Sequence, residues 1–304
     1  MKQIAVALSC LFVLAAQATD WHWKGAEGEY SLTSNTWEAD DGTRGVAKGS
    51  DAIAVFDGDA TLVWANTSGT QPIGGIKVLA GTVTFNSTYN ITRPINFANI
   101  TNDIYVAPGA TLILNGHSPC GTNGAAAATQ VVRLTGGGTL RTCGGSQLGR
   151  VNNDNLLCRF VVCADSTLEI SGTADGVRLD DALVVEAGGV AKMLGNNLIQ
   201  NSTVIHVEKG GEFRADGFSD TLGALTGDGL VVIGAANLTL PAEKGPFAFG
   251  GLMKADIALG ATTTEENQYC LVTTARAFEN CSFATAAVAG GPSFASPRVS
   301  ASFG

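Results

Sequence analysis

One short phrase recurs seven times along the chain: apolar–x–apolar, a Gly or Asp three residues after the second apolar position, then another apolar pair. The first pairs are Ile76/Val78, Ile104/Val106, Val132/Leu134, Phe160/Val162, Leu183/Val185 and Ile205/Val207. Leu225 opens a seventh copy, with Gly223 in its partner's place. The corner residues are Gly81, Gly109, Gly137, Asp165, Gly188, Gly210 and Asp228. Val78, Val106, Leu134 and Val162 follow one another at intervals of 28 residues, and the later intervals shorten to 23, 22 and 18. A period of this size marks supersecondary units that cannot bury an apolar face alone and must stack on one another.

Each unit reads as two short strands around a tight corner. The second apolar pair is Leu112/Leu114, Leu168/Ile170, Ala191/Met193 and Phe213/Ala215 in four copies, and Val83/Phe85 and Leu230/Val232 in two others. Leu140 holds the first of these places in the remaining copy, with Thr142 at the second. Alternate residues of a strand point to opposite faces, so each pair shares one face. Gly tolerates positive φ at the corner, and Asp is among its commonest substitutes there. Composition agrees: charged residues are 15%, Gly is abundant at 39 residues and Pro is few at 8. The expected fold is all-β, a single-stranded parallel β-helix (β-solenoid) with N- and C-terminal caps. Coils stacked ~4.8 Å apart make seven units a rod of roughly 30–40 Å.

The domain division follows from the ends. Residues 1–18 read as a signal peptide: Lys2, an apolar stretch Ile4 to Ala15, and Ala16-Gln17-Ala18 before Thr19. Residues 19–60 form an N-terminal strand or cap region, 61–245 the coils, and 246–304 a C-terminal cap and tail. The segments Asn115 to Thr129 and Gly144 to Asn155 are expected as loops projecting from the coils, where a binding site would sit. No later segment is a membrane span. The net charge of −9, with acids and bases scattered, argues against nucleic acid as a partner. Six cysteines remain after the leader. An exported chain can pair them, and Cys270–Cys281, Cys158–Cys163 and Cys120–Cys143 are candidate pairs among many connectivities.

The opening Trp21-x-Trp23-x-Gly25 with Asn35-x-Trp37 resembles that of autotransporter-associated β-strand-repeat proteins. So do the stretch from Val106 to Leu114, and Leu225-Thr-Gly-Asp-Gly-Leu-Val-Val with Asn237-Leu-Thr-Leu after it. The resemblance covers most of residues 20–245. It implies a right-handed β-helix, similar to autotransporter passengers, secreted or held on the outer-membrane surface of a Gram-negative bacterium. Such rods are often adhesive, with a carbohydrate or a host or cell-surface component as partner. One departure matters: residues 246–304 leave no room for the membrane β-barrel that an autotransporter carries after its passenger, so the expectation is either another export route or a longer protein of which this is a part.

The chemistry-bearing residues allow two readings. Trp21, Trp23 and Trp37 form either a sugar-stacking platform or, by the reading preferred here, the cover over the open end of the core. Asp175, Arg178, Asp180 and Asp181 are the best acidic cluster. Paired carboxylates there would act as general acid and base on a glycosidic bond, or hold Ca²⁺ for a lyase. The reading preferred here is a solvated turn between strands. His22 between two tryptophans, His117 in a loop and His206 on an outward position form no constellation, and Asp57-Gly58-Asp59 is too short for a calcium site. No nucleophile elbow, phosphate loop or zinc motif occurs, and no cofactor is expected. The sequence therefore points to a surface or secreted structural, adhesin-like β-helix without catalysis. The alternative is a carbohydrate-active β-helix enzyme, a polysaccharide lyase or hydrolase.

Overall fold

The computed structural model describes residues 18–31, 35–64, 72–87, 93–95, 97–119, 130–149, 158–179, 181–234, 238–239 and 249–255. Within them the chain is all-β, built from two long sheets of eleven and nine strands and three two-stranded pairs, with no helix. The strands of one sheet alternate along the chain with those of the other. Parallel neighbours within a sheet are therefore one repeat apart in sequence. This topology is compatible with a β-helix or solenoid.

Chain order places β1 (Thr19–Trp23), β2 (Trp37–Ala39), β3 (Arg44–Gly45) and β4 (Gly49–Phe56) at the opening edge of the first sheet. β5 (Ala60–Val63) begins the second sheet, and β6 (Ile73–Val78) and β7 (Thr82–Asn86) form the next turn of the pattern. β1 runs parallel to β4, while β2 and β3 fold back antiparallel on β1. The segment 28–31 lies along β5: Gly28 N donates to Thr61 O, Val63 N to Glu29 O and Ser31 N to Val63 O, at 2.6, 2.9 and 2.9 Å. The opening edges of both sheets are thus covered by the same stretch of chain.

One buried apolar cluster runs from Trp37 to Phe249. Its members are the residues that the repeat marks as inward: Ile76, Val78, Ile104, Val106, Val132, Leu134, Phe160 and Val162 on the first sheet, and Val83, Phe85, Leu112, Leu114, Leu140 and Leu168 on the second, all at most 1% exposed. Thr142, inward where an apolar residue is usual, satisfies its hydroxyl on the next coil. Its Oγ1 donates to Ser171 O at 2.7 Å and accepts from Ser171 N at 3.0 Å. Positive φ occurs at six of the seven expected corners: Gly81, Gly109, Gly137, Asp165, Gly188 and Gly210.

The structure corrects the repeat in two coils. Ile104 lies opposite Leu134, so the interval across that step is not the one from Val106 to Leu134, and Leu225 lies opposite Ile205. Gly136 and Gly227 then come beside Val106 and Val207, with φ of 97° and 98°. A Cβ on Gly136 would stand 2.5 Å from the Val106 carbonyl oxygen, and one on Gly227 2.1 Å from that of Val207. Thr-Gly-x-Gly makes a shorter corner pressed against the preceding coil, which only glycine permits. Register fails in the seventh copy for the same reason. Val231 is the buried residue opposite Phe213, and Leu230 and Val232 face outward.

A third stack was not legible as such. Arg93–Pro94 pairs with His117–Ser118, Leu148–Gly149 with Val177–Arg178, and Asp220–Thr221 with Leu238–Thr239. His117, Ser118 and Leu148 are buried, so parts of the two expected loops belong to the stacked body. The remaining parts of those loops, most of residues 246–304, and Asp180 lie outside the described residues.

Candidate functional site

The aromatic residues of the opening gather at one end of the core. Trp37 is 1% exposed, its indole N–H donates to Ser31 O at 2.6 Å, and it meets Trp23, Phe56 and Trp64 edge-on with ring centres 5.0, 5.4 and 6.4 Å apart. Trp64 stacks on Phe85 at 4.6 Å, carrying the cluster into the next coil. Trp21 and Trp23 are half-buried and pack on the core. Strand alternation explains the arrangement: Trp21 lies beside Ala54, an inward residue, and Trp23 lies opposite Trp37. Aromatic rings bring large area per residue, which suits an end where, among the described residues, no further coil supplies contacts.

His22, on the other face of the same strand, carries the most developed polar constellation here. Its Nδ1 lies 2.7 Å from Asp57 Oδ2 and its Nε2 3.0 Å from Asp40 Oδ1. Burial disfavours the charged ring, but hydrogen bonds and attraction to Asp57 and then Asp40 outweigh it and raise the imidazole above its ordinary value. The carboxylates sit on opposite ring nitrogens and so do not converge on one point. Among the described residues no group of three or more His, Cys, Asp or Glu side chains is placed to hold a metal ion. Sequence reasoning saw His22 as isolated because Asp40 and Asp57 lie 18 and 35 residues away. The only signal was the Asp57-Gly58-Asp59 corner, whose Asp59 accepts from Thr82 N at 2.6 Å.

The acidic cluster is spread over separate stacks. Asp175 occupies a turn at φ 54°, and its carbonyl accepts from Arg178 Nε at 2.8 Å. Asp181 stands at the start of the strand Ala182–Val185 and pairs with Arg159 on the neighbouring strand, 2.7 Å from Nη2 and 2.8 Å from Nε. Asp175 N binds Asn197 O and Asp181 N binds Cys158 O, each along its own coil-to-coil ladder. Nearby Asp220 is buried and accepts from Ile199 N at 2.9 Å and Thr221 N at 2.7 Å. Burial raises its carboxyl above the ordinary value, and those backbone bonds oppose the rise. His206 Nδ1 lies 2.8 Å from Thr226 Oγ1 on the outward face.

Two of the expected cysteine pairings are corrected. Cys143 and Cys163 are free thiols, and Cys158 is disulfide-bonded. Cys158 opens a five-residue strand and Cys163 follows it. Five residues of extended chain separate them by roughly 16 Å, far beyond disulfide reach. Cys143 ends the strand Thr139–Cys143, and its free thiol removes the pairing with Cys120, which itself lies outside the described residues. Cys163 is buried beside Arg133, whose Nη2 is 3.5 Å from Sγ. Burial and then the hydrogen bond to Glu186 push this thiol up to about 11, against the pull of Arg133. Cys270 and Cys281 lie outside the described residues.

Comparison with known proteins returns no match: no family model, no curated protein sequence and no solved structure matches this chain. Among the described residues no helix is long and apolar enough to cross a membrane.

Proposed function

We propose that the chain is an exported right-handed β-helix, closed by N- and C-terminal caps, that serves as a secreted or surface-held structural or adhesive rod without catalysis. The observation that carries this reading is the single buried cluster from Trp37 to Phe249, which spends the repeated residues on stacking and leaves the outer faces to polar ladders. Those ladders hold coil to coil: Arg141 pairs with Glu169, Arg159 with Asp181, and Asn115 Nδ2 donates to Asn86 Oδ1 at 2.9 Å. The Trp-rich opening and the resemblance of the coils to autotransporter-associated repeats support export. They also suggest a carbohydrate or cell-surface component as partner.

A panel of polysaccharides incubated with residues 19–304 tests the reading, scored separately for retention and for release of new reducing or unsaturated ends. Retention without release is the expected result. Release of new ends that disappears in Asp181→Asn would replace the rod by the carbohydrate-active alternative.

A further inference from the structure

We propose that His22 is a pH-sensitive clamp that holds the opening hairpin onto the body of the molecule. The inference is independent of the rod's partner and rests on a bridge. His22 belongs to β1, Asp40 follows β2, and Asp57 follows β4, so one imidazole ties three segments of chain together. A neutral imidazole has one N–H and can donate to one carboxylate only. Its other nitrogen would then turn a lone pair toward the second carboxylate. Both contacts, at 2.7 and 3.0 Å, are satisfied together only by the doubly protonated ring.

The surroundings favour that charge. From β2, Glu38 lies opposite His22 and pairs with Arg44 of β3 at 3.3 Å. Asp41, in the turn after β2, accepts from Thr43 N. From β6, Lys77 shares the outward column with His22 through Val55, and its charge is taken up by Asp20 of β1 at 2.7 Å. Arg44 and Lys77 are thus paired with other carboxylates, while Asp40 and Asp57 pair with His22.

The sign of the dependence follows. The folded ring binds its proton more tightly than the ordinary value of 6.5, so its stabilisation is complete below that value and fades as pH rises through the folded one. Above it, Asp40 and Asp57 face a neutral ring, and β1 to β3 loosen from β4. That uncovers the Trp cluster and the edges of β4 and β5.

All four tryptophans of the chain, Trp21, Trp23, Trp37 and Trp64, lie in this end, so their emission reports on it alone. A titration over about pH 6 to 9 spans the range of a raised histidine. The expected result is a reversible emission change with its midpoint above 6.5, lost in His22→Gln, displaced to lower pH in Asp57→Asn and unchanged in His206→Gln. Where the leader is removed, the α-amino group of Thr19 titrates in the same range, and His22→Gln leaves that group in place. Flat emission in the wild type would overturn the clamp, and so would an unaltered transition in His22→Gln. Should His22→Gln fail to fold by far-ultraviolet circular dichroism, Asp40→Asn serves instead. Its carboxylate is mostly solvent-exposed, and a midpoint left in place by its loss would also overturn the proposal.

Discussion

The repeating middle and the opening end of the molecule solve the same problem with different materials. In the middle, each inward Val, Leu, Ile or Phe is covered above and below by its counterpart on a neighbouring coil, and modest side chains suffice. At the opening no coil precedes among the described residues. Trp23, Trp37, Phe56 and Trp64 supply the missing area, and an antiparallel hairpin replaces the next parallel strand. The middle is held by repetition, so its energetics are a sum over neighbours. The end is held by single residues covered by a counterpart on one side at most, and each of them matters individually.

The sharpest way to break this contrast is to remove one large ring from each region. Trp37→Ala and Phe160→Ala should each cost about 3–5 kcal/mol in urea unfolding followed by circular dichroism. In Trp37→Ala the emission of the remaining tryptophans should change before the far-ultraviolet signal of the coils. In Phe160→Ala the two should move together. Coincident transitions in both variants would show that the end has no separate identity. Next in size is Gly227→Ala, which forces a side chain into positive φ against the Val207 carbonyl. A loss of about 1–3 kcal/mol is expected by the same measurement, while Gly109→Ala, with open space around it, should lose less.

A smaller effect belongs to the ladders. Arg159→Ala should cost less than about 1 kcal/mol because the pair with Asp181 lies at the surface, partly exposed to solvent. A loss near that of Phe160→Ala would mean that the outer face shares in holding the coils. Asp220 gives a dependence on pH. Its carboxyl is raised by burial, so the neutral form favours the folded chain, and stability should fall as pH rises from the ordinary carboxylate value of 3.8 through the folded one. Urea midpoints across the acid range should show a flatter profile in Asp220→Asn. The smallest effect is chemical: native Cys163 should resist alkylation at pH 8, whereas Cys143, half-exposed, labels first in a mass-spectrometric time course.

What was legible in the sequence is what repeats at short range. The inward pairs and the positive-φ corners needed only period-2 alternation and a glycine or aspartate, and they stand in the first six copies. The seventh was misphased because Leu230, Val231 and Val232 are all apolar. Alternation cannot choose among them, and the short corner at Gly227 decides. The third stack was missed because its strands are two residues long and carry polar members such as His117 and Ser118. That the opening tryptophans pack on the core follows from their position at the edge of the repeats. The bridge at His22 was not legible, since nothing in a local window links it to Asp40 and Asp57. Cys158 and Cys163 looked like a pair in sequence, but the strand between them holds them apart.

The hairpin over β4 also gives the molecule a direction. A parallel stack left bare at its first strand would template another chain, one coil after the next, as fibrils do. Here the last strand on that side, Arg44–Gly45, is two residues long and runs antiparallel to its neighbour, with Asp40 and Asp41 in the adjoining turn. The described strands at this face thus offer no long parallel edge on which a second chain could continue the stack, as a thread is stopped by its knot.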